Sequence, residues 1–261
     1  MMSQGKGLFV TIEGVEGTGK STLTSRLIQD LQALNLPSIA TREPGGSSIG
    51  TTVRSLLLNS TPGLPALNER AEALLFAADR AQHVAELIKP SVEDGKIVVC
   101  DRFLDSSAAY QGVGRGLGAK TIRDISVWAS QDFLPDITFL VDLDPLVGIK
   151  RKSADEVNRM ELEPIEFHQK IREAFLGFSK NPDTSTKWYV MSGHYDLEVI
   201  YNALKTIVLL SWVLKNIYNS QVEYLSKIQA ILDTLRVGYD RGDMTYGLET
   251  TINSILKGYL A

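Results

Sequence analysis

Gly14, Gly17 and Gly19 run directly into Lys20, Ser21 and Thr22, matching the spacing G-x-x-x-x-G-K-S/T. Glycines at those positions let successive backbone N–H groups close around phosphate oxygens, and a helix starting at the lysine adds its partial positive charge. Lys20 supplies a mobile point charge, and the hydroxyl of Ser21 suits Mg²⁺. The stretch Gly14, Glu16, Gly17, Thr18, Gly19, Lys20, Ser21 and Thr22 is therefore the expected cradle for the phosphates of ATP, a phosphate-binding loop (P-loop).

A second group lies far along the chain. The apolar run Ile97 to Cys100 ends in Asp101 and Arg102. A strand of that kind delivers a carboxylate to the edge of a sheet where ligands of open α/β folds bind. Asp101 suits Mg²⁺ or its waters, and Arg102 suits a second phosphate. Phe76 and Arg80 are four residues apart in the helical pattern Glu69 to Ile88, so they share a face. An aromatic plane beside a guanidinium fits a planar base that carries a carbonyl. Ser107 and Gln111, also four apart, can hydrogen-bond a base edge.

These residues need a scaffold. Leu8 to Glu13 reads as a buried strand ahead of the P-loop, and Leu23, Leu27, Leu31 and Leu34 follow it at helical spacing. Further β-branched runs occur at Ser38 to Thr41, Ile97 to Cys100, Ile137 to Val141 and Trp188 to Met191, separated by helical patterns long enough for crossovers. The alternation predicts an α/β fold of the P-loop NTPase type: three layers, a parallel sheet with helices on both faces. A helix over Asp196 to Leu204 would close that unit.

The pattern predicts two units, a P-loop α/β domain over residues 1–205 and a helical extension over 206–261. In the extension Leu225, Ile228, Leu232 and Leu235 form one apolar stripe and Leu248, Ile252, Ile255 and Tyr259 another. They predict helices at about Asn219 to Val237 and Thr245 to Tyr259, with a turn at Gly238, Gly242 and Asp243.

Composition sets the outer bounds. The chain has 261 residues, 44% of them hydrophobic and 22% charged, enough for a full core. Its net charge of -4 gives no electrostatic footprint for nucleic acid or an acidic membrane. Thr206 to Leu214, the most apolar run, is far shorter than the roughly 20 residues that span a bilayer. With one cysteine, Cys100, and no signal sequence before the first strand, a cytoplasmic location is expected. His83, His168 and His194 lack metal-ligand spacing and read as structural, as does Cys100. Neither N-K-x-D nor D-x-x-G occurs, which argues against a GTPase switch.

Taken in order, the P-loop with Glu16, then Thr41-Arg42-Glu43-Pro44-Gly45-Gly46, then Phe76 with Arg80, then Asp101-Arg102-Phe103-Leu104-Asp105-Ser106-Ser107-Ala108-Ala109-Tyr110-Gln111-Gly112 resemble the thymidylate kinases of bacterial type. The resemblance runs from about Leu8 to Lys205. It implies transfer of the γ-phosphate of ATP to dTMP with Mg²⁺, and a homodimer. It implies Phe76 stacking on thymine, Arg80 at the O4 carbonyl, Ser107 and Gln111 on the base edge, and Tyr110 crowding the sugar 2′ position. Glu43, Arg54 and Arg102 would line the monophosphate pocket, and Glu16 would approach the sugar 3′-hydroxyl. Because Gly17 rather than arginine follows Glu16, a lid over Lys150 to Arg159 would supply the mobile cation, from Arg151 or Arg159. Two other readings remain at this point: a broad-specificity deoxynucleoside monophosphate kinase, and an ATP-binding scaffold without turnover.

Overall fold

The computed structural model describes residues 6–59, 67–151, 158–180 and 186–216. Five strands, β1 (Leu8–Glu13), β2 (Ser38–Arg42), β3 (Ile97–Asp101), β4 (Ile137–Asp142) and β5 (Lys187–Ser192), form one sheet in the order β2-β3-β1-β4-β5. Every pairing is parallel, and the register sets Ile12 beside Asp101 and Arg42 beside the same residue on the far side. Each observed strand lies within one residue of its predicted ends. Burial explains this: all six residues of β1 are inside, so the strand has to be a continuous apolar run.

Side-chain alternation assigns the two faces. Leu8, Val10 and Ile12 of β1, Ile97 and Val99 of β3, and Ile137, Phe139 and Val141 of β4 point to one face. They pack against α1 (Lys20–Ala33) and the last helix of the described chain, Leu197–Asn216. The other face carries Phe9, Val98 and Cys100 in one cluster and Leu140 in another. Thr11 and Thr138 hydrogen-bond to each other there at 3.0 Å, satisfying two hydroxyls that the buried sheet would otherwise strand.

On that second face lie α2 (Gly50–Leu58), α3 (Glu69–His83), α4 (Lys89–Glu93), α5 (Leu104–Ser107) and α6 (Ala119–Ala129). They are followed by α7 (Pro145–Lys150), α8 (Ile165–Lys180) and the closing α9 (Leu197–Asn216). Asn68 caps α3 by accepting from the Arg70 N–H at 3.0 Å, and Arg80 and His83 occupy the last turn, where the helix dipole favours cations. The predicted helix Glu69 to Ile88 is therefore correct in place but not uniform. It widens into a π-helical segment at Val84–Ile88 before α4. Pro90, which has no N–H for the carbonyl four residues earlier, explains the local change of winding. A second π segment, Ala108–Gly114, continues α5 and carries Tyr110 and Gln111.

The expected boundary at 205 falls inside α9 and is corrected. The helix runs unbroken to Asn216, and Ile207, Val208, Leu209, Trp212 and Val213 belong to the same core as β1 and α1. The apolar run that reads as the start of an extension is the inner face of this helix. Asn216 also closes back on Lys6, accepting from its N–H at 2.8 Å. The helices expected at 219–237 and 245–259 lie outside the described residues.

A chain ending at Lys205 should fail to fold, whereas one ending at Ile217 should keep the site. The first loses those five core side chains, each about 1.5 to 3 kcal/mol of burial, against a domain stability of roughly 5 to 15 kcal/mol. Far-UV circular dichroism and soluble yield of the two truncations decide it. A cooperative melt for the shorter chain would show that α9 ends functionally at 205.

Candidate active site

The loops after β1 and β3 leave neighbouring strands in opposite directions and open a crevice at the C-terminal edge of the sheet. A cavity of about 460 Å³ occupies it, within the range typical of small-molecule sites. Its lining includes six cationic side chains, Lys20, Arg42, Arg54, Arg80, Arg102 and Arg151, and four acidic ones, Glu16, Glu43, Asp101 and Glu161. The excess of cations calls for an anionic ligand although the whole chain is acidic.

The P-loop wraps the N-terminus of α1 as its spacing predicts. Gly17 has a positive φ of 70°, and a Cβ there would sit 2.0 Å from the carbonyl oxygen of Gly148. A Cβ on Gly148 would likewise meet the Glu16 carbonyl at 2.1 Å. The two glycines let α7 lie directly on the loop. Gly148 carries no local sequence signal for this role, since its partner is far away in the chain. Lys20 is buried, and its ammonium donates to the Val15 carbonyl at 2.7 Å and to Thr18 Oγ1 at 3.3 Å. Burial and the neighbouring Arg102 bring its pKa down to about 8.

Ser21 Oγ donates to Asp101 at 2.6 Å, which joins the two predicted metal-site residues across β1 and β3. A hydroxyl and a carboxylate beside a phosphate cradle form the hard oxygen set that suits Mg²⁺ completed by phosphate and water. Among the described residues no group of three His, Cys, Asp or Glu side chains forms a protein-only metal cage.

Arg102 is the centre of the site. Its φ of 69° is left-handed, a conformation that costs a non-glycine residue on the order of 1 kcal/mol or more. Glu13 holds the turn: its carboxyl receives the Phe103 N–H at 2.7 Å and the Ser106 hydroxyl at 2.6 Å. Thus placed, the Arg102 guanidinium donates to Glu16 at 2.8 Å and to Ser106 at 3.2 Å, over the ring of Tyr110. Tyr110 donates its own hydroxyl to the same Glu16 oxygen at 2.6 Å. Burial works against ionisation of Glu16, but Arg102, His168, Lys20 and Tyr110 outweigh it and hold the carboxyl well below the usual range.

The base-site residues also converge. Arg80 is fully buried, paired with Glu43 at 2.8 Å, and donates to Ser107 at 3.0 Å and Ser126 at 2.9 Å. Phe76, one turn earlier on α3, lines the same cavity, as do Ser107 and Gln111. Glu43 touches the cavity but is held by Arg80 and by His83 Nδ1 at 3.1 Å, so it orients cations. Arg54 lies on the loop after β2, donating to the Pro44 carbonyl at 2.7 Å, with Gly45 leaving room for its side chain. Arg42 is a lining residue absent from the expected set. It makes no ion pair among the described residues, and its position as the last residue of β2, in the Thr41 to Gly46 motif, is the signal that marks it.

The two lid arginines part company. Arg151 lines the cavity beside the P-loop, donating to the carbonyls of Gly17 at 3.4 Å and Gly193 at 3.3 Å. Arg159 does not line it. Its guanidinium is bound to Glu72 at 2.6 Å and to the Leu57 carbonyl at 3.1 Å. Of the two arginines expected to supply the mobile cation, Arg151 faces the cavity, whereas the charge of Arg159 already has a buried partner. Residues 152–157 between them lie outside the described residues. His83 is structural as expected, bonded to Thr41 and Glu43, whereas His168 is buried with Nδ1 3.5 Å from Glu16. Cys100 is buried in β3 and far from reactive, its thiol pushed up by burial.

Burial and the nearby Asp105 raise the Glu13 carboxyl from 4.5 to about 8. The folded chain therefore keeps a proton that the unfolded chain releases, and stability falls as pH rises from about 4.5 to about 8. Glu13→Gln keeps the bond from Phe103, turns the Ser106 bond round so that the amide nitrogen donates to the hydroxyl, and removes this titration. The melting temperature of the variant, relative to the parent, should climb between pH 5 and pH 9. A constant difference would mean that Glu13 is already ionised in the folded chain.

The thymidylate kinase family matches residues 12–215. A thymidylate kinase of Carboxydothermus hydrogenoformans is 43% identical over 201 residues, covering 77% of this chain and 96% of that one. One from Clostridium novyi is 44% identical over 174 residues, 66% of this chain and 84% of the relative. Among solved structures, the thymidylate kinase of Ehrlichia chaffeensis superposes with a TM-score of 0.62 at 30% identity, covering 78% of this chain and 99% of that one. The phosphate cradle, the arginine-rich crevice and a likeness that spans nearly all the described residues agree, and the chain belongs to the thymidylate kinase family.

Proposed function

We propose that this chain transfers the γ-phosphate of ATP to dTMP, giving dTDP and ADP, in the cytoplasm. The observation that carries the reading is the Glu16, Arg102 and Tyr110 cluster, which joins the P-loop to the end of β3 and lines the same cavity as the phosphate cradle, Phe76 and Arg80. One side of the cavity takes a triphosphate and the other a planar base. The cluster lies where a phosphate between them would sit.

Phosphoryl transfer spreads charge over the moving oxygens, so the protein mainly positions and neutralises. Lys20 leaves the Val15 carbonyl for the β- and γ-phosphates. Arg102, with Arg42 and Arg54, holds the acceptor phosphate. Glu16, kept ionised, accepts a hydrogen bond from the sugar hydroxyl, and Tyr110 closes the sugar 2′ side. Phe76 stacks on the base, Arg80 donates to its carbonyl, and Ser107 and Gln111 meet its edge. Arg151 brings a cation from α7 over the loop. Ser21 and Asp101 would hold Mg²⁺, which supplies charge neutralisation between the phosphates. Exposed Leu74 on α3 and Trp128 on the adjoining α6 support a homodimer, which sedimentation tests against the 28.7 kDa monomer.

Release of ADP on dTMP, dUMP, dGMP, dCMP and UMP tests the assignment. Comparable rates on dGMP or dCMP would point to a broad-specificity kinase, and none on any substrate to a scaffold. Arg102→Ala should weaken every monophosphate alike, while Arg80→Ala should erode base choice, by about 1 to 3 kcal/mol for an unpaired polar contact. Equal loss of discrimination in both would refute the division of roles. Arg151→Ala should lower kcat more than it raises KM, because its charge acts in the transition state. Finally, Lys20 is protonated below about pH 8 and neutral above it. The kcat/KM for ATP should hold on the acid side and decline as pH rises through that value, since this ratio reports the free enzyme. A flat profile to pH 9.5 would show that Lys20 stays charged without nucleotide.

A further inference from the structure

Gln111 is buried and lines the base side of the cavity, where its amide has two chemically opposite ends. One end is committed: the nitrogen donates to Glu72 Oε1 at 2.9 Å. A carboxylate can only accept, so the nitrogen has to face Glu72 and the carbonyl oxygen has to face away. No other hydrogen bond engages this amide among the described residues, which leaves that oxygen for a ligand. We propose that Glu72 is a specificity-determining positioning residue: by fixing the Gln111 amide with its oxygen toward the cavity, it makes the site accept a ring N–H and reject a base that presents an acceptor there. The inference rests on the seating of the base against Phe76, Arg80 and Gln111 proposed above.

Glu72 is itself locked. It is 1% exposed, and Arg159 donates to its Oε2 at 2.6 Å while Arg115 reaches both oxygens at 3.3 and 3.4 Å. Burial alone would favour protonation, but Gln111, Arg159 and Arg115 prevail and hold the carboxyl below its ordinary value. It stays an acceptor at neutral pH, so it cannot turn the amide round by donating a proton.

Arg80 offers the complementary half of the code. A guanidinium has donors and no acceptor, and Glu43 holds this one in place at 2.8 Å. The wall thus reads donor from Arg80 and acceptor from Gln111. A thymine edge, with a carbonyl beside N3–H, matches both. Cytosine, with an exocyclic amine beside an acceptor N3, opposes both. A freely rotating glutamine would serve either base, because swapping its ends swaps its preference. Glu72 removes that freedom, and penalising the wrong ligand is how a site gains discrimination beyond its attraction for the right one.

The test compares kcat/KM for dTMP and dCMP in the parent, Glu72→Gln, Gln111→Leu and Arg115→Gln. Glu72→Gln can donate as well as accept, so the preference for dTMP should narrow by about tenfold or more, chiefly through gain on dCMP relative to dTMP. Arg115→Gln loosens Glu72 without freeing the amide and should leave the ratio within about twofold of the parent. Gln111→Leu separates the idea from any folding defect at position 72. A locked oxygen opposes cytosine, so its removal should lower dTMP and leave dCMP unchanged or improved. A parallel fall on both nucleotides in Gln111→Leu would mean that the amide turns to suit each base, and would overturn the role of Glu72. An unchanged ratio in folded Glu72→Gln would overturn it as well. If Gln111→Leu moved neither nucleotide, the base would not sit against Gln111, and the seating itself would fall.

Discussion

Holding several cations in one cavity before any phosphate arrives is the constraint around which this molecule is arranged. Like charges in a partly dry crevice repel, and each buried guanidinium or ammonium loses hydration that a neighbour has to replace. For some of these cations the structure answers with buried carboxylates in and beside the cavity. Glu16 takes Arg102, Glu43 takes Arg80, and Glu72 takes Arg115 and Arg159. Lys20 makes no carboxylate ion pair and rests on the Val15 carbonyl, and burial and the neighbouring Arg102 depress its charge. Groups aimed in advance at a place where charge will develop need not reorganise during the reaction.

That arrangement depends on the sheet. The parallel register placing Ile12 beside Asp101 brings the P-loop and the Asp101-Arg102 turn to one edge, though they are far apart in sequence. Glu13, the last residue of β1, then crosses to the Phe103 N–H and stabilises the left-handed Arg102. One buried carboxyl at a strand end thus links sheet register to the direction of the Arg102 guanidinium in the cavity. The opposed glycines Gly17 and Gly148 do the same for α7, whose C-terminal end carries Arg151 to the mouth of the loop.

The extent to which this was readable beforehand follows the range of the interactions. The central strands β1, β3 and β4 were legible because their burial is written in consecutive side chains, and the P-loop because its function needs a fixed local spacing. Phe76 with Arg80, and Ser107 with Gln111, were legible because one helical turn joins each pair. Glu13, Glu72 and Gly148 gave no such signal. Each is an ordinary residue in its own segment and acquires its role from a partner across the fold. The continuation of α9 past Lys205 was missed for a related reason: Thr206 to Leu214 is apolar on every side, and only the core cluster shows which side packs.

Arg159 shows why residue type and place in a motif do not settle a catalytic role. Both lid arginines have the charge that a phosphoryl transition state attracts, and both lie in the expected segment. Arg159, however, is bound at 2.6 Å to a carboxylate that is 1% exposed, so moving it would leave Glu72 short of a buried partner. Arg115 would still reach both Glu72 oxygens, but Glu72 would lose its shortest cationic contact and Arg159 would also give up the Leu57 carbonyl. Arg151 rests only on two carbonyl oxygens, at 3.4 and 3.3 Å, with no carboxylate to give up. A weakly held cation beside the loop can follow the charge of the transferring group. A strongly held one at Glu72 instead ties Arg159 to the carboxylate that also holds Gln111.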